Sequence, residues 1–247
     1  TWSSFREIGG KIAAANLADV FAMGGKPKYL LVSAGITSDM NLSDIKELAE
    51  GIKVEADLVG CKVIGGDISK ASELVISIAA IGSSSKGITR SGAKVGDKVF
   101  ISNLTGFSAA GLYQLKKGGA DSEFVRVFKK PDVRYQLVAG FTEASALIDV
   151  SDGLLSESKH IAEASQVCLN LEKAKIETIP GFTEIAALAI TENQDVWKWV
   201  LTGGEDHAFL GCGSTIPKGA YEIGVVISGS GVKVDGASEI NDLGWRH

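Results

Sequence analysis

Short apolar runs of strand length alternate along this chain with segments whose apolar residues recur at the helical period. An alanine-rich helix is predicted over residues 8–23, ended by Gly24, and a strand candidate follows at residues 28–36. Further strand candidates at residues 98–101 and 147–150 are each followed by a helical segment. Because strands that alternate with helices pack as sheets covered by helices, the 247-residue chain is predicted to be a mixed α/β protein.

A stretch rich in serine and glycine at residues 83–92 is the best candidate for a junction between domains. We therefore predict two domains, residues 1–92 and residues 93–247. Within the second domain, a proline at residue 131 is expected to begin a helix that runs to about residue 145, because proline is favoured in the first turn of a helix.

Composition and charge narrow the classes of function. The chain has 30 glycines but only 4 prolines, which indicates many turns or loops that approach a ligand closely. A net charge of −5 argues against a nucleic-acid binder, and no apolar run approaches the roughly 20 residues that span a bilayer. The 3 cysteines lie far apart, so neither a disulfide framework nor a zinc site is expected. These features predict a reduced, cytoplasmic protein.

Carboxylates lie beside glycines in three places, at residues 65–67, 149–153 and 203–206, while the P-loop and Rossmann motifs are both missing. Each group is predicted next to a strand or at the start of a helix, where exposed N–H groups can hold a polyanion. Carboxylates without cysteine or histidine partners suit Mg²⁺. Several acids, a Mg²⁺ ion and a phosphate cradle are the parts that phosphoryl transfer needs.

Each candidate residue also has a purely structural interpretation. Asp19 shares one face of the first helix with Asn16 amid apolar residues, where a salt bridge or a capping contact would also supply a partner. Gly66 and Asp67 could form a turn after the strand at residues 61–64, and Ser151 or Asp152 could cap a helix. Glu205 and Asp206 could belong to a polar loop. Arg90 could be a solvated surface residue, and Trp245 could pack in the core. Only their joint occurrence favours a site.

Five motifs, taken in order, make the chain resemble the thiamine-monophosphate kinases. They lie at residues 12–24, 65–67, 89–93, 148–154 and 202–207, so that the resemblance covers nearly the whole chain. It implies transfer of the γ-phosphoryl group of ATP to thiamine monophosphate, giving thiamine diphosphate. It also implies a two-domain fold like that of aminoimidazole ribonucleotide synthetases, with an N-terminal sheet domain that forms a homodimer and a C-terminal α/β domain.

The resemblance assigns roles to residues by matching position. The implied Mg²⁺ ligands are Asp19, Asp67, Asp149 and Asp152. The implied ATP contacts are Gly66, Asp67, Arg90 and Ser151, and the implied contacts to the thiamine phosphate are Glu205 and Trp245. No histidine nucleophile is among these residues, so direct in-line transfer without a phosphoenzyme is expected. The expected partners are ATP, thiamine monophosphate and a second copy of the chain, without nucleic acid or membrane.

Two departures from the family pattern and two different functions remain open. The family carries an acidic, glycine-rich loop and a substrate-contacting histidine before the point that matches Thr1, so a preceding segment is expected to hold further ligands. Residues 48–51 lack the tyrosine that the family often places near the nucleotide. The first alternative function is that of a related ATP-using synthetase with another acceptor, but residues 203–206 and Trp245 favour the kinase. The second is that of a catalytically silent nucleotide-binding dimer, but the acidic residues and Arg90 favour an active enzyme.

Overall fold

The computed structural model describes residues 2–119 and 121–238, which form two β-sheets with helices packed against them. The N-terminal elements are α1 (Phe5–Ala22), β1 (Lys26–Ile36), α2 (Leu42–Leu58), β2 (Lys62–Lys70) and β3 (Val75–Ser83). The first sheet has the strand order β2-β1-β3, in which β1 is parallel to β2 and antiparallel to β3.

Both N-terminal helices begin at reciprocal caps. The Ser4 side chain accepts the Glu7 N–H while Glu7 accepts the Ser4 N–H, so α1 starts three residues before the predicted boundary. Gly24, with φ +65°, follows the end of α1 as predicted. The helices cover one face of the sheet, where Leu17 and Leu30 are fully buried and Ile52 is nearly so.

The opposite face of this sheet is apolar and exposed in the described part of the chain. Tyr29 and Ile81 stand opposite each other on β1 and β3, with 43% and 46% of their surface exposed. Leu31 lies beside them, opposite Ala79, and is 40% exposed. Alternate residues of a strand point to opposite faces, so the same strands contribute Leu30 to the core and Leu31 to this surface.

The Gly-Gly-Asp sequence of residues 65–67 lies in the middle of β2, so the turn predicted there is wrong. Gly66 is paired with Val32 and Asp67 with Ser33 in the parallel ladder. A side chain at Gly66 would collide with the Val32 carbonyl, so that glycine permits the two strands to pair closely. The strand therefore continues through residues whose composition is typical of a turn, because hydrogen bonds to β1 compensate for the weak strand preference of glycine.

The second sheet has seven strands in the order β10-β9-β6-β8-β4-β7-β5. Its strands are β4 (Lys98–Ile101), β5 (Ala146–Val150), β6 (Cys168–Leu171), β7 (Ala208–Gly213), β8 (Tyr221–Ile227), β9 (Gly231–Val234) and β10 (Ala237–Ser238). The helices of this part are α3 (Phe107–Lys116), α4 (Glu123–Lys129), α5 (Leu154–Ser165), α6 (Lys173–Ile176), α7 (Phe182–Thr191) and α8 (Val196–Thr202). Among the described residues, no helix combines the length and the apolar character needed to cross a membrane.

The helix predicted to begin at residue 131 is wrong. Residues 131–134 are not helical, and only a short 3-10 helix, Tyr135–Phe141, follows them. Side-chain contacts hold this segment against α2, since Tyr135 donates a hydrogen bond to Glu55 at 2.9 Å and Lys130 donates another at 2.6 Å. Phe141 is fully buried in a cluster with Phe100, and this packing favours the short helix over a longer regular one.

Candidate nucleotide and metal site

Five of the nine site residues predicted from the sequence line one cavity of about 530 Å³. These residues are Asp19, Arg90, Asp149, Ser151 and Asp152. Asp19 comes from the last turn of α1, whereas Asp149 lies in β5 and Asp152 just after it, about 130 residues later in the chain. The fold thus brings three carboxylates and one guanidinium to a single concave surface.

The loop between β5 and α5 contributes Ser151 and Asp152 to the lining of the cavity. Helix α5 begins after Gly153, which has a φ of +115° and no side chain that could cap the helix. Ser151 therefore does not cap α5, and the capping role predicted for Asp152 stays a prediction. The Ser151 hydroxyl instead donates a long hydrogen bond of 3.4 Å to Glu157, one turn into α5.

Backbone hydrogen bonds join this loop to the glycine-rich loop before β7. The Glu205 N–H donates to the Ser151 carbonyl at 2.7 Å, and the His207 N–H donates to the Val150 carbonyl at 2.9 Å. Glu205 and His207 both adopt left-handed backbone conformations, with φ of 69° and 49°. A side chain on Gly204 would come within 2.5 Å of the Ser151 carbonyl, so glycine permits this close approach.

Asp149 is buried and is bonded to a histidine that the sequence did not identify as a site residue. Its Oδ2 lies 3.0 Å from the Nδ1 atom of His207, which is also buried. Asp19 lines the same cavity as Asp149 and interacts with it electrostatically. The surrounding protein withdraws the Asp19 carboxyl partly from water and, with the neighbouring Asp149 carboxylate, raises its pKa to about 6. His207 opposes this shift.

The chemistry of these donors fits a Mg²⁺ ion that is shared with a phosphate ligand. Within residues 2–119 and 121–238, no three acidic, histidine or cysteine side chains are close enough to hold a metal without further help. Mg²⁺ in proteins commonly takes only one or two carboxylates and completes its shell with water and substrate phosphates. Asp19 and Asp149 line the same cavity, and a bound cation would relieve the repulsion that helps to raise the pKa of Asp19.

The cavity is also lined by Glu157 and His160, two titratable residues that sequence reasoning did not assign to the site. Glu157 is 3% exposed, and burial, together with the charges of Asp149 and Asp152, raises its pKa to about 7. Glutamates are common in helices, so the residue type alone does not indicate a site. The one sequence signal for Glu157 is that it follows Asp152 by five residues. His160 follows one turn later at the cavity mouth, where its side chain is exposed.

The loop that carries Arg90 is held to the C-terminal sheet. Ser165, at the end of α5, accepts the N–H groups of Gly92 and Ala93 at 3.1 and 3.2 Å and donates to the Arg90 carbonyl at 3.2 Å. The Leu147 N–H donates to the carbonyl of the residue before Arg90. The Arg90 side chain is exposed at the cavity, so both the predicted phosphate contact and a solvated surface position agree with its placement.

Gly66 and Asp67 line a different space, a groove of about 640 Å³ between β2 and α2. Apolar side chains such as Val63 and Ile68 form much of its wall. The structure does not bring Asp67 into the carboxylate cavity, so its predicted role as a metal ligand stays a prediction. Trp245, the second residue expected to contact the thiamine phosphate, lies outside the described residues.

Asp206 is an anchor within the fold and not part of a polar surface loop. It is 2% exposed and accepts the N–H groups of Gly106 and Ser108 at 2.6 and 2.9 Å, at the start of α3. Burial raises its pKa to about 6, although both hydrogen bonds lower it. The neighbouring Glu205 is different, because 56% of its side chain is exposed beside the cavity residues.

Two family models match most of the chain. The model described as AIR synthase related protein, N-terminal domain, matches residues 2–84, and the corresponding C-terminal domain model matches residues 94–236. These matches agree with the two sheets described above.

Individual relatives give a narrower result. The chain is 35% identical to the thiamine-monophosphate kinase of Mycobacterium tuberculosis, over 99% of this chain and 75% of that protein. It is 32% identical to the thiamine-monophosphate kinase of Aquifex aeolicus, over 97% of this chain and 80% of that protein. The solved structure of AaThiL complexed with AMPPCP and TMP superposes with a TM-score of 0.91 at 31% identity, covering 99% of this chain and 81% of that one. The chain therefore belongs to the thiamine-monophosphate kinase family of the AIR synthase related proteins.

Proposed function

We propose that this protein transfers the γ-phosphoryl group of ATP to thiamine monophosphate, giving ADP and thiamine diphosphate. One observation carries the proposal to this chain's own residues. The hydrogen bond of 2.7 Å from the Glu205 N–H to the Ser151 carbonyl places the residue expected to meet the acceptor beside one expected to meet ATP. Asp19, Asp149 and Arg90 line the cavity next to this bond. Phosphoryl transfer requires this proximity, since positioning and charge neutralisation supply most of its catalysis.

The acids of the cavity would hold Mg²⁺. Asp19, Asp149 and Asp152 are the residues that would bind it, and the ion would neutralise charge on the phosphates as they approach each other. His207 holds Asp149 in place through its bond of 3.0 Å. Asp67 is proposed as a further ligand on the nucleotide side, from its position in the family motif alone.

The transfer is proposed to be direct. An oxygen of the acceptor phosphate bonds to the γ-phosphorus while the bond from that phosphorus to the β,γ-bridging oxygen breaks, and ADP leaves. Arg90 is placed to neutralise phosphate oxygens through charge-assisted hydrogen bonds. Two histidines lie at the site. His207 is buried and bonded to Asp149, so it supports a carboxylate and is not available for attack on phosphorus. His160 is exposed at the cavity, and trapping of a phosphorylated protein without acceptor tests its involvement.

A homodimer formed through the N-terminal sheet is also proposed. The exposed apolar face that contains Tyr29, Leu31 and Ile81 is the kind of surface that a second copy would cover. The domain boundary after residue 92 and the cytoplasmic location stay predictions from the sequence.

The test is ADP release by the purified protein with Mg-ATP, measured with and without thiamine monophosphate. Turnover that requires thiamine monophosphate and yields thiamine diphosphate supports the proposal. ADP release that responds to another acceptor, and not to thiamine monophosphate, would favour a related synthetase. Tight ATP binding without acceptor-dependent turnover would favour a silent nucleotide-binding protein. A phosphorylated protein trapped without acceptor would contradict direct transfer.

A further inference from the structure

Lys11 of α1 contacts the exposed glutamate at the site. Its ammonium group forms an ion pair with the Glu205 carboxylate. The same group donates a hydrogen bond of 2.7 Å to the Phe128 carbonyl on α4 and lies 4.2 Å from the centre of the Phe128 ring. Two protein groups besides Glu205 therefore fix the position of this ammonium group.

The two partners of this ion pair differ in how firmly the fold holds them. The Lys11 side chain is 23% exposed and lies against Phe128, whereas the Glu205 side chain is 56% exposed. The Glu205 backbone is held in a left-handed conformation by its bond to the Ser151 carbonyl, but its side chain has several rotatable bonds. Lys11 is thus the fixed member of the pair, and it restricts where the glutamate carboxylate can stand.

We propose that Lys11 is a positioning residue for the phosphoryl acceptor, because it holds the Glu205 carboxylate where the acceptor binds. This inference rests on the proposed function, in which Glu205 contacts thiamine monophosphate. A carboxylate that is already ordered loses less rotational freedom when the acceptor arrives. The ammonium group also gives this edge of the site a positive charge, opposite in sign to the acceptor phosphate.

The chain supplies a matched control in Lys129. Its ammonium group also joins α4 to α1, through an ion pair of 3.3 Å with Glu7, and its side chain is 24% exposed. The described contacts of Lys129 do not include Glu205. Loss of Lys129 therefore removes a polar contact between α1 and α4, as loss of Lys11 also does, without the loss of the contact at the site.

The experiment measures KM for thiamine monophosphate, KM for ATP and kcat in Lys11→Met, Lys129→Met, Glu205→Gln and the double variant Lys11→Met/Glu205→Gln. We expect Lys11→Met to raise KM for thiamine monophosphate about tenfold, with KM for ATP within about twofold. Lys129→Met should leave both constants unchanged. The double variant should be no weaker for the acceptor than Glu205→Gln alone, because Lys11 acts through that carboxylate. Lys11→Arg, which keeps the charge, should recover most of the affinity.

The inference is overturned if Lys11→Met behaves like Lys129→Met, or if the effects of Lys11→Met and Glu205→Gln on KM simply multiply. A rise in KM for ATP equal to that for the acceptor would indicate a general structural defect and would overturn it too. Should Lys11→Met fold poorly, Lys11→Gln in the wild-type and Glu205→Gln backgrounds replaces it: a rise in KM for thiamine monophosphate in the wild-type background alone supports the inference, and an equal rise in both backgrounds overturns it. Wild-type turnover that ignores thiamine monophosphate would overturn the proposed function itself, and this inference with it.

Discussion

The two regions that carry the predicted site residues are built differently. In the C-terminal region, Asp149 is buried, bonded to His207 and followed by a loop whose backbone is bonded to the residues before β7. In the N-terminal region, Gly66 and Asp67 lie on β2, whose residues are all exposed in the described chain. In the C-terminal region, hydrogen bonds within the protein hold the polar groups in place. In the N-terminal region, the predicted site residues lie on an exposed strand.

This difference indicates which site residues the fold of one chain arranges by itself and which ones lie on a surface that a ligand or a second copy of the chain could cover. Asp149 keeps its position through its bond to His207, and backbone bonds hold the loop that follows it, so the fold itself arranges this part of the site. The residues expected to bind the nucleotide on β2 have an apolar groove on one side, and the neighbouring sheet face around Leu31 is exposed. We therefore expect substitutions in the first region to act on the chemical step, and substitutions in the second to act on binding and assembly.

The largest expected effect is that of Asp149→Asn in the C-terminal region. Loss of one carboxylate charge from the pair with Asp19 should lower kcat on the order of 100-fold or more, while the similar size of asparagine preserves the fold. The control is Asp195→Asn, since Asp195 caps α8 through the Trp197 N–H and asparagine caps equally well. A steady-state assay over a Mg²⁺ titration measures both variants, and a near-normal rate in Asp149→Asn would remove this residue from the metal site.

The next effect tests whether a second copy covers the N-terminal sheet. Leu31→Asp would bury a charge in that interface and should weaken the dimer on the order of 100-fold. Ile190→Asp is the control, because Ile190 is 81% exposed on α7, in the other region. Light scattering over a range of concentrations gives the molecular mass. A dimer that survives Leu31→Asp would contradict the assigned interface.

Burial of Asp206 should make the stability of the C-terminal region depend on pH. Its pKa is about 6 in the folded protein, against an ordinary value of 3.8, so the folded state binds the proton more tightly. The contribution of Asp206 to the free energy of unfolding should therefore be fully present below pH 4 and be lost, by roughly 3 kcal/mol at most, as pH rises through about 6. Asp206→Asn cannot lose this proton, so its stability should fall less over the same interval.

Chemical denaturation of both proteins at several pH values measures the Asp206 contribution. Further acids with raised pKa values, such as Asp19 and Glu157, titrate in both proteins, so the difference between the two curves isolates Asp206. Curves that stay parallel from pH 4 to pH 7 would contradict the prediction, whatever their offset.

The smallest expected effect sharpens the account of β2. Gly66→Ala places a methyl group against the Val32 carbonyl, which should cost roughly 1–3 kcal/mol of stability and raise KM for ATP without a matching fall in kcat. Gly87→Ala is the control, because a methyl group there meets no atom within 4 Å. Thermal melts and ATP kinetics measure both, and equal behaviour of the two variants would contradict the close pairing of β1 and β2.

Local patterns were sufficient for much of the fold. The predicted strands at residues 98–101 and 147–150 match β4 and, within one residue, β5, and the helix that is followed by Gly24 was expected from its composition. The turn at residues 65–67 and the helix from residue 131 were wrong, because strand pairing and contacts with Glu55 outweigh local preference at those places. The motifs predicted nine residues for one site. Five of them line one cavity, namely Asp19, Arg90, Asp149, Ser151 and Asp152, and their roles there stay predictions.

The sequence by itself determined the order of the elements, the acidic motifs and the family, since each depends on residues that are neighbours in the chain. Only the tertiary structure decided which distant groups meet. His207 contacts Asp149 because β5 and β7 pair side by side, and Lys11 contacts Glu205 because α1 packs near the loop before β7. Such pairs join residues 58 or more positions apart, and no local periodicity indicates them. Packing of the whole chain sets the distances on which hydrogen bonds and charge interactions depend.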